Sequence, residues 1–319
     1  MSLAISAARS VLCGGSIHVE DALELLSCPL EELEEGARMI RRALVPAGVE
    51  LCSICSVHTG GCSEDCAFCA QSTRAPGGAV VDLDLDSVIS MARRARSFGV
   101  ARFSLVSSGL RTPGWVVDLA VQAAPILRDM GLSPCVSLGM LDRRDLLRLQ
   151  LAGVERIHCN LEASPAFFPK VCSTHWWGQK MEFISMARTM GFQVCCGGII
   201  GMGEGWEDRL ALSVWSRRLG AQSFPVNVLD PIGGTPLEGA APLPPEDFLR
   251  FVCVLRYIHP TARIRIAGGR RLIRPMDRRS LEGPVDSLMT GDYLTTRGVS
   301  FQEDLEMISS LGLAPVMAR

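Results

Sequence analysis

The stretch "LCSICSVHTGGCSEDCAFCAQS", residues 51–72, joins a strand-forming run to a loop that holds three closely spaced cysteines. Residues 51–57 have the apolar composition of a buried strand. Cys62, Cys66 and Cys69 follow at the spacing C-x3-C-x2-C, with no fourth cysteine in the loop. Since barrel enzymes gather their chemistry at the carboxyl ends of strands, this order predicts a cofactor site in the loop.

Seven further strand-like runs alternate with amphipathic helical stretches along the rest of the chain. They cover residues 101–108, 134–139, 156–162, 193–201, 223–230, 262–269 and 286–291. Strands separated by helices favour parallel β/α units, and eight such units close most economically as an α/β barrel of the (β/α)8 TIM type. An open doubly wound sheet is the alternative, because a count of strands does not prove closure.

The N-terminal residues predict two helices, "VEDALELLS" and "LEELEEGARMIRRAL", packed on the outside of the barrel. We expect a helical extension over residues 1–50 and the barrel over residues 51–319, together forming a single domain. A chain of 319 residues is a common length for one barrel, and no long linker interrupts it.

Composition excludes several classes of protein. The net charge of −2 gives no basic surface for nucleic acid or an anionic membrane. No apolar run predicts a membrane span, and the N-terminus lacks the pattern of a secretory signal. Thirteen cysteines, odd in number and unevenly spaced, argue against a disulfide framework. We therefore expect a cytoplasmic protein with metal or redox cysteines, whereas four others are expected to be buried or incidental: Cys13, Cys28, Cys172 and Cys253.

Three cysteines without a fourth restrict the kind of metal site. A structural zinc site takes four protein ligands, and iron–sulfur clusters usually take four thiolates. Three thiolates at C-x3-C-x2-C can hold three corners of a four-iron cube and leave one iron open. A small zinc site can mimic this spacing, but the position of the loop after the first barrel strand favours the cluster.

The loop resembles the signature of the radical S-adenosylmethionine (SAM) superfamily, in which SAM chelates the open iron and is cleaved to a 5′-deoxyadenosyl radical. The run "HTGGCSEDCAFCAQS" is similar to that of biotin synthases. The similarity continues through "NLEAS" (160–164), "CCGGIIGMGE" (195–204), "VNVLDPIGGTPLEG" (226–239) and "IRIAGGR" (264–270). It implies a sulfurtransferase that converts dethiobiotin to biotin with sulfur from an auxiliary iron–sulfur cluster. It also implies a homodimer and a reductant such as flavodoxin or ferredoxin.

The same resemblance assigns SAM contacts. Asn160 and Glu162 would hold SAM, with the carboxylate reaching the ribose hydroxyls. "VSSG" (106–109), with Ser107, would offer backbone groups to the SAM amino group. The segment "GGIIGMGE" reads G-x-I-x-G-x-x-E and would face the adenine through Gly197, Ile199 and Gly201. The structural alternative for this segment is a glycine-rich turn with an acidic residue at the start of a helix.

Polar residues also alternate along the fourth predicted strand. His158, Asn160 and Glu162 share one face of a strand, and three polar groups inside a barrel are costly unless they meet a ligand. The resemblance makes Asn227 a contact of the ureido ring of dethiobiotin, for which an amide offers one acceptor and two donors. It places His158 in the substrate site, where many relatives have asparagine. For each residue alone, a buried group satisfied by a neighbour is the alternative.

The auxiliary cluster is where the sequence departs from its relatives. Familiar biotin synthases hold a [2Fe–2S] cluster with three cysteines and an arginine, and three of these positions match Cys135, Cys195 and Arg265. Ser104 occupies the remaining cysteine position, and a serine hydroxyl is a poor iron ligand. Arg265 could instead pair with an interior carboxylate such as Glu162.

A cysteine on the first strand offers a replacement ligand. Cys52 and Cys55 are three residues apart, so on a regular strand they face opposite sides. Alignment with the relatives places Cys52 inside. We predict an auxiliary cluster on Cys52, Cys135 and Cys195 with Arg265 nearby, favouring a four-iron cube with an extra sulfide over a [2Fe–2S] unit. Competing functions are another radical SAM barrel, such as a methylornithine synthase or hydrogenase maturase, and a protein that only stores metal.

Overall fold

A closed ring of parallel strands forms the centre of the computed structural model, which describes residues 2–291 and 298–317. The strands are β1 (Val49–Thr59), β2 (Val81–Asp82), β3 (Arg102–Ser107), β4 (Ser133–Ser137), β5 (Arg156–His158), β6 (Gln193–Cys195), β7 (Gly198–Ile200), β8 (Ser223–Val228), β9 (Arg263–Ile266), β10 (Ser287–Met289) and β11 (Pro315–Val316). Pairing runs β1–β3–β4–β5–β6–β8–β9–β10, and β10 pairs with β1 again. The barrel is therefore confirmed and the open-sheet alternative is wrong.

Helices surround this ring. They are α1 (Leu3–Leu12), α2 (Val19–Leu25), α3 (Leu30–Leu44), α4 (Leu85–Ser97), α5 (Gly114–Asp129), α6 (Arg143–Leu151), α7 (Phe168–Val171), α8 (Trp177–Thr189), α9 (Trp206–Arg218), α10 (Pro245–Ile258), α11 (Met276–Glu282) and α12 (Phe301–Ser310). The two predicted N-terminal helices are α2 and α3, and α1 is an additional helix before them. Across the described ranges, no helix has the length and apolarity needed to cross a membrane.

The N-terminal helices pack against the outer helices of the barrel. Gly36 of α3 allows close contact with α10, because a Cβ there would lie 1.9 Å from Tyr257 Oη. Tyr257 is fully buried, and its hydroxyl donates to the Leu33 carbonyl at 3.3 Å. Any larger residue at Gly36 must displace this tyrosine, so the glycine fixes the distance between the extension and the barrel.

Side-chain alternation along the strands decides which residues face the interior. On β1, Cys52 and Ile54 face the cavity inside the barrel. Cys55 lies on the outer face, with its sulfur 3.6 Å from that of Met91 in α4. Cys52 is in register with Arg102, and Ser104 is in register with Cys135. The interior cysteines Cys52, Cys135 and Cys195 thus lie on β1, β4 and β6, which are separated by β3 and β5.

Candidate active site

One cavity inside the barrel brings together most of the predicted site residues. Its wall includes Cys52, Cys69, Ser107, Cys135, His158, Asn160, Glu162, Cys195, Ile199, Asn227 and Arg265, together with Ser104. The wall does not include Cys62 or Cys66, which belong to the same loop as Cys69, nor Gly197 or Gly201. A single space therefore connects the cysteine loop, the polar residues of β5 and the deep cysteines.

The cysteine loop is held in place by the acidic pair inside it. Asp65 Oδ1 accepts the backbone N–H groups of Ser173 at 2.8 Å and Thr174 at 3.2 Å, and Asp65 Oδ2 accepts the Ser173 hydroxyl at 2.5 Å. Arg74 donates to the same carboxylate. Burial alone would raise the pKa of Asp65, but the hydrogen bonds from Ser173, Cys172 and Arg74 hold it well below its usual range. The charged carboxylate thus fastens the loop to the segment 172–175.

Glu64 makes the second attachment. Its Oε2 accepts the Thr174 hydroxyl at 2.6 Å and lies 2.6 Å from His175 Nδ1. The Cys66 and Cys172 sulfurs and a ring nitrogen of His175 all lie within 4.8 Å of one another. Cys172 is buried, as expected, but it is not incidental, since its thiol contacts both Asp65 and His175 at 3.2 Å. The sequence analysis missed this attachment.

Removing one charge from this attachment should loosen the loop. We expect Asp65→Asn to cost about 1–3 kcal/mol of stability, because an amide cannot accept all of the hydrogen bonds that the charged carboxylate receives from Ser173, Thr174 and Arg74. Iron should be lost faster during a challenge with a chelator, and the melting temperature should fall. Asp118→Asn is the matched control, since the carboxylate of Asp118 is half exposed and forms a surface ion pair with Arg148. Equal iron retention in the two variants would contradict the anchoring role.

The SAM-side residues leave polar groups free for a ligand. Asn160 Oδ1 accepts the Gly197 N–H at 3.1 Å, so its amide N–H groups point elsewhere. Glu162 has φ of +69°, an unusual left-handed conformation for a residue with a side chain. Within the described residues its Oε2 is buried without a hydrogen-bond partner. Burial raises the pKa of Glu162, against the effect of Lys180 and His158. A ligand hydroxyl would satisfy this oxygen.

Lys180 is a cation that the sequence analysis did not identify. It lies on α8, where burial lowers its pKa but Cys159, Glu162 and Cys66 more than offset that effect. Its ammonium group therefore stays charged beside the cysteine loop and Glu162. No motif in "WWGQK" marks it, because only the fold brings α8 to this side of the barrel.

The glycine-rich segment has both a structural and a cavity-facing part. Glu204 caps its turn by accepting the N–H groups of Gly201 at 2.8 Å and Met202 at 2.7 Å. A Cβ at Gly197 would lie 2.2 Å from the Pro225 carbonyl oxygen, so this position requires glycine. Ile199 faces the cavity. The adenine contacts of this segment, and the contact of Ser107 with SAM, stay predictions.

Asn227 has less hydrogen-bonding capacity to offer than its side chain suggests. Its Oδ1 accepts the Gly268 N–H at 2.9 Å, and its Nδ2 donates to the Gly198 carbonyl at 3.1 Å. One N–H group and one lone pair of Oδ1 remain, so the amide can still donate to a ligand carbonyl and accept one further hydrogen bond. His158 lines the same cavity and hydrogen-bonds the Cys195 thiol, which places it between the substrate region and the deep cysteines.

The deep end of the cavity holds Cys52, Cys135 and Cys195 beside Arg265. Arg265 Nη1 lies 3.5 Å from the Cys195 sulfur, and Arg265 Nη2 pairs with Glu50 at 2.6 Å. The interior carboxylate of Arg265 is therefore Glu50, and the suggested pairing with Glu162 is wrong. Burial raises the pKa of the Cys195 thiol, but His158 and Arg265 outweigh burial and lower it to about 6. Burial raises the pKa of the Cys52 thiol to about 11, although the charge of Arg265 acts to lower it.

Two further arginines, which the sequence analysis missed, complete this region. Arg102 Nε and Arg156 Nη1 lie 3.0 and 3.6 Å from the carboxylate of Glu50. Burial would raise the pKa of Glu50, but Arg265, Arg156 and Arg102 together lower it to about 2. The signal was available in the strand alternation, because Glu50 stands two residues before Cys52 and Arg156 two before His158.

Comparison with known proteins defines the class first. Residues 56–213 match the radical SAM superfamily, and residues 225–314 match the biotin and thiamin synthesis associated domain. The fold is shared with a methylornithine synthase structure (TM-score 0.81, 19% identity, 97% of both chains). It is also shared with a maturase of the [FeFe]-hydrogenase (TM-score 0.85, 15% identity, 99% of this chain and 76% of that one). The chain is a radical SAM barrel enzyme.

Relatives of higher sequence identity define the family to which the chain belongs within that class. The chain is 39% identical to biotin synthase 2 of Corynebacterium diphtheriae over 95% of this chain and 93% of the relative. It is 38% identical to a biotin synthase of Clostridium botulinum over 98% and 99%. The chain belongs to the biotin synthase family, which confirms the predicted family and enzyme class. The family implies a SAM-binding [4Fe–4S] cluster, SAM and an auxiliary iron–sulfur cluster.

Proposed function

We propose that this chain inserts sulfur into dethiobiotin to form biotin, with its two cluster sites at opposite ends of one barrel cavity. The main support for this proposal is that one cavity is lined both by Cys69 of the cysteine loop and by the deep cysteines Cys52, Cys135 and Cys195. When bound, the first cluster supplies the electron that cleaves SAM, and the auxiliary cluster supplies sulfur. A substrate held between them meets both reagents without leaving the barrel.

The residues around SAM match its charged and polar groups. Glu162, with an unpartnered buried oxygen, suits a ribose hydroxyl, and the amide of Asn160, which also hydrogen-bonds Glu162, has a second N–H group that suits an acceptor. The Lys180 ammonium, charged beside Glu162 and Cys66, suits the methionyl carboxylate. The thiolates for the [4Fe–4S] cluster come from Cys62, Cys66 and Cys69.

The deep residues suit an auxiliary cluster. Three free thiols, Cys52, Cys135 and Cys195, share the cavity wall, and Arg265 lies 3.5 Å from the last of them. Because Ser104 replaces a cysteine, we assign the third thiolate to Cys52. Thiolates on β1, β4 and β6 surround the space on three sides, which favours a four-iron cube with an additional sulfide over a two-iron unit.

Asn227 provides the first test of the substrate assignment. In Asn227→Asp the acceptor for the Gly268 N–H is retained, but a carboxylate oxygen replaces the donor that faces Gly198 and the ureido carbonyl. We expect the KM for dethiobiotin to rise at least tenfold, since an unpaired buried carbonyl costs about 1–3 kcal/mol. Affinity for SAM, measured on the same protein, should change less than twofold. An unchanged dethiobiotin KM would remove Asn227 from the substrate site.

Assembly and electron supply are inferred from the family. We propose a homodimer in the cytoplasm, reduced by flavodoxin or ferredoxin. Analytical ultracentrifugation of the cluster-loaded protein tests the dimer. Anaerobic turnover with each reductant in turn tests the electron donor.

The function itself is tested anaerobically. Cluster-loaded protein with SAM, dethiobiotin and a reductant should form biotin together with 5′-deoxyadenosine. A strain that lacks biotin synthase should grow without biotin when it carries this chain. Release of 5′-deoxyadenosine without biotin, from protein with both clusters shown by Mössbauer spectroscopy, would indicate a different radical SAM reaction.

A further inference from the structure

The deep end of the cavity carries more positive than negative charge. Arg102, Arg156 and Arg265 all approach the single carboxylate of Glu50; we call these three residues the arginine floor. The side chains of Arg156 and Arg265 are at most 5% exposed. Two carboxylates face them, because Arg102 also pairs with the partly exposed Glu155 at 3.4 Å, so the three guanidinium groups keep a formal charge of +1, which is least compensated at Arg156.

Arg156 is the member of the arginine floor that is least satisfied. Its Nε and Nη2 both donate to the Gln193 side-chain oxygen, at 3.2 and 2.9 Å. Its Nη1 is buried and has no hydrogen-bond partner among the described residues, and Glu50 Oε1 is 3.6 Å away. Burial and the neighbouring Arg102 lower the pKa of Arg156, as expected for a cation that lacks sufficient compensation. Arg102 instead reaches both Glu50 at 3.0 Å and Glu155 at 3.4 Å.

The free donor of Arg156 belongs to the wall that holds the deep thiols. Arg156, Cys135 and Cys195 all line the cavity.

We propose that Arg156 Nη1 is the anchor of a small-anion subsite beside Cys135 and Cys195, and that its working ligand is hydrosulfide. The choice of hydrosulfide rests on the proposed function, because each biotin takes one sulfur atom that must be replaced before the next turnover. A small monoanion with one acceptor atom matches the single free donor of a buried guanidinium group. The subsite would hold the replacement sulfur next to the auxiliary ligands.

Bromide is the probe for the subsite, since it is a monoanion and an anomalous scatterer. Anaerobic crystals of the cluster-loaded protein soaked in bromide should show an anomalous peak at the bromine absorption edge within about 3.5 Å of Arg156 Nη1, because bromide is a larger acceptor than oxygen in a charge-assisted contact. Arg156→Gln should lose the peak. Arg102→Gln removes the same charge but keeps the free donor, so it should keep the peak. No bromide in the wild-type cavity, or equal loss in both variants, overturns the assignment to Nη1.

Labelled sulfide tests the ligand. In multiple-turnover assays with added labelled sulfide, wild type should incorporate label into biotin with a saturable dependence on sulfide concentration. Arg156→Gln should need at least tenfold more sulfide for half-maximal incorporation, and Arg102→Gln less than threefold more. Bromide binding with no difference in labelling overturns hydrosulfide as the ligand. If wild type makes no biotin although bromide binds at Nη1, the proposed function fails while the anion subsite stands.

Discussion

Replacing Cys66 with alanine should abolish formation of 5′-deoxyadenosine from SAM. The reason is that the loop offers three thiolates for a four-iron cube that already lacks a fourth protein ligand. Losing one more leaves two, and the cluster should not survive purification. The same result is expected for Cys62→Ala and Cys69→Ala. The measurement is anaerobic 5′-deoxyadenosine release with dithionite, together with an iron content lower by about four atoms per chain.

Cys13→Ala serves as the control because Cys13 is an exposed cysteine just beyond α1 and outside the cavity. It should keep both its iron content and its SAM cleavage. Far-ultraviolet circular dichroism shows whether each variant is folded. Continued SAM cleavage by a folded Cys66→Ala protein would mean that the cysteine loop does not hold the SAM cluster.

The barrel and its inward-facing residues were predictable because both depend on local periodicity. Strands of period two, separated by helices of period 3.6, specify the order of elements and which residues share a face. That rule places Cys52 and Cys55 on opposite faces, and alignment with the relatives identifies Cys52 as the inner one. The same rule extended by two residues would have placed Glu50 inside, together with the arginines that neutralise it.

The attachment of the cysteine loop was not predictable from local pattern. Glu64 and His175 are separated by 111 positions in the chain, and nothing near either residue indicates the other. Lys180 poses the same difficulty, since its role depends on where α8 lies against the barrel. Long-range pairs of this kind are decided by tertiary packing, which a single sequence does not reveal.

Two differences in the strands have a backbone cause. The predicted strand 193–201 is divided into β6 and β7, because the chain at Gly197 and Gly198 approaches neighbouring backbone too closely for a side chain. The predicted strand 156–162 is regular only as far as His158. Beyond it, a single isolated β-bridge pairs Glu162 with Gly198. Both irregular segments carry predicted SAM contacts, consistent with a backbone shaped around a ligand.

Cys52 gives the second prediction of large effect, since it decides how the deep site compensates for Ser104. Cys52→Ala should keep SAM cleavage but lose biotin formation, because the auxiliary cluster would have only Cys135 and Cys195 as thiolate ligands. Iron should fall from about eight atoms per chain to about four if the auxiliary cluster is a cube, or from about six to about four if it has two irons. Mössbauer spectra of the anaerobic wild type distinguish those two cases.

The matched control lies on the same strand. Cys55→Ala removes an equally buried thiol that faces Met91 on the outer side of β1, so it should keep its iron and make biotin. A second variant, Cys52→Ala with Ser104→Cys, restores a thiolate at the position that relatives use. Because Ser104 and Cys135 are in register on adjacent strands, this variant should recover a two-iron cluster and some biotin formation. Full iron content and normal biotin formation in Cys52→Ala alone would show that Cys52 is not a ligand and that two cysteines with Arg265 suffice.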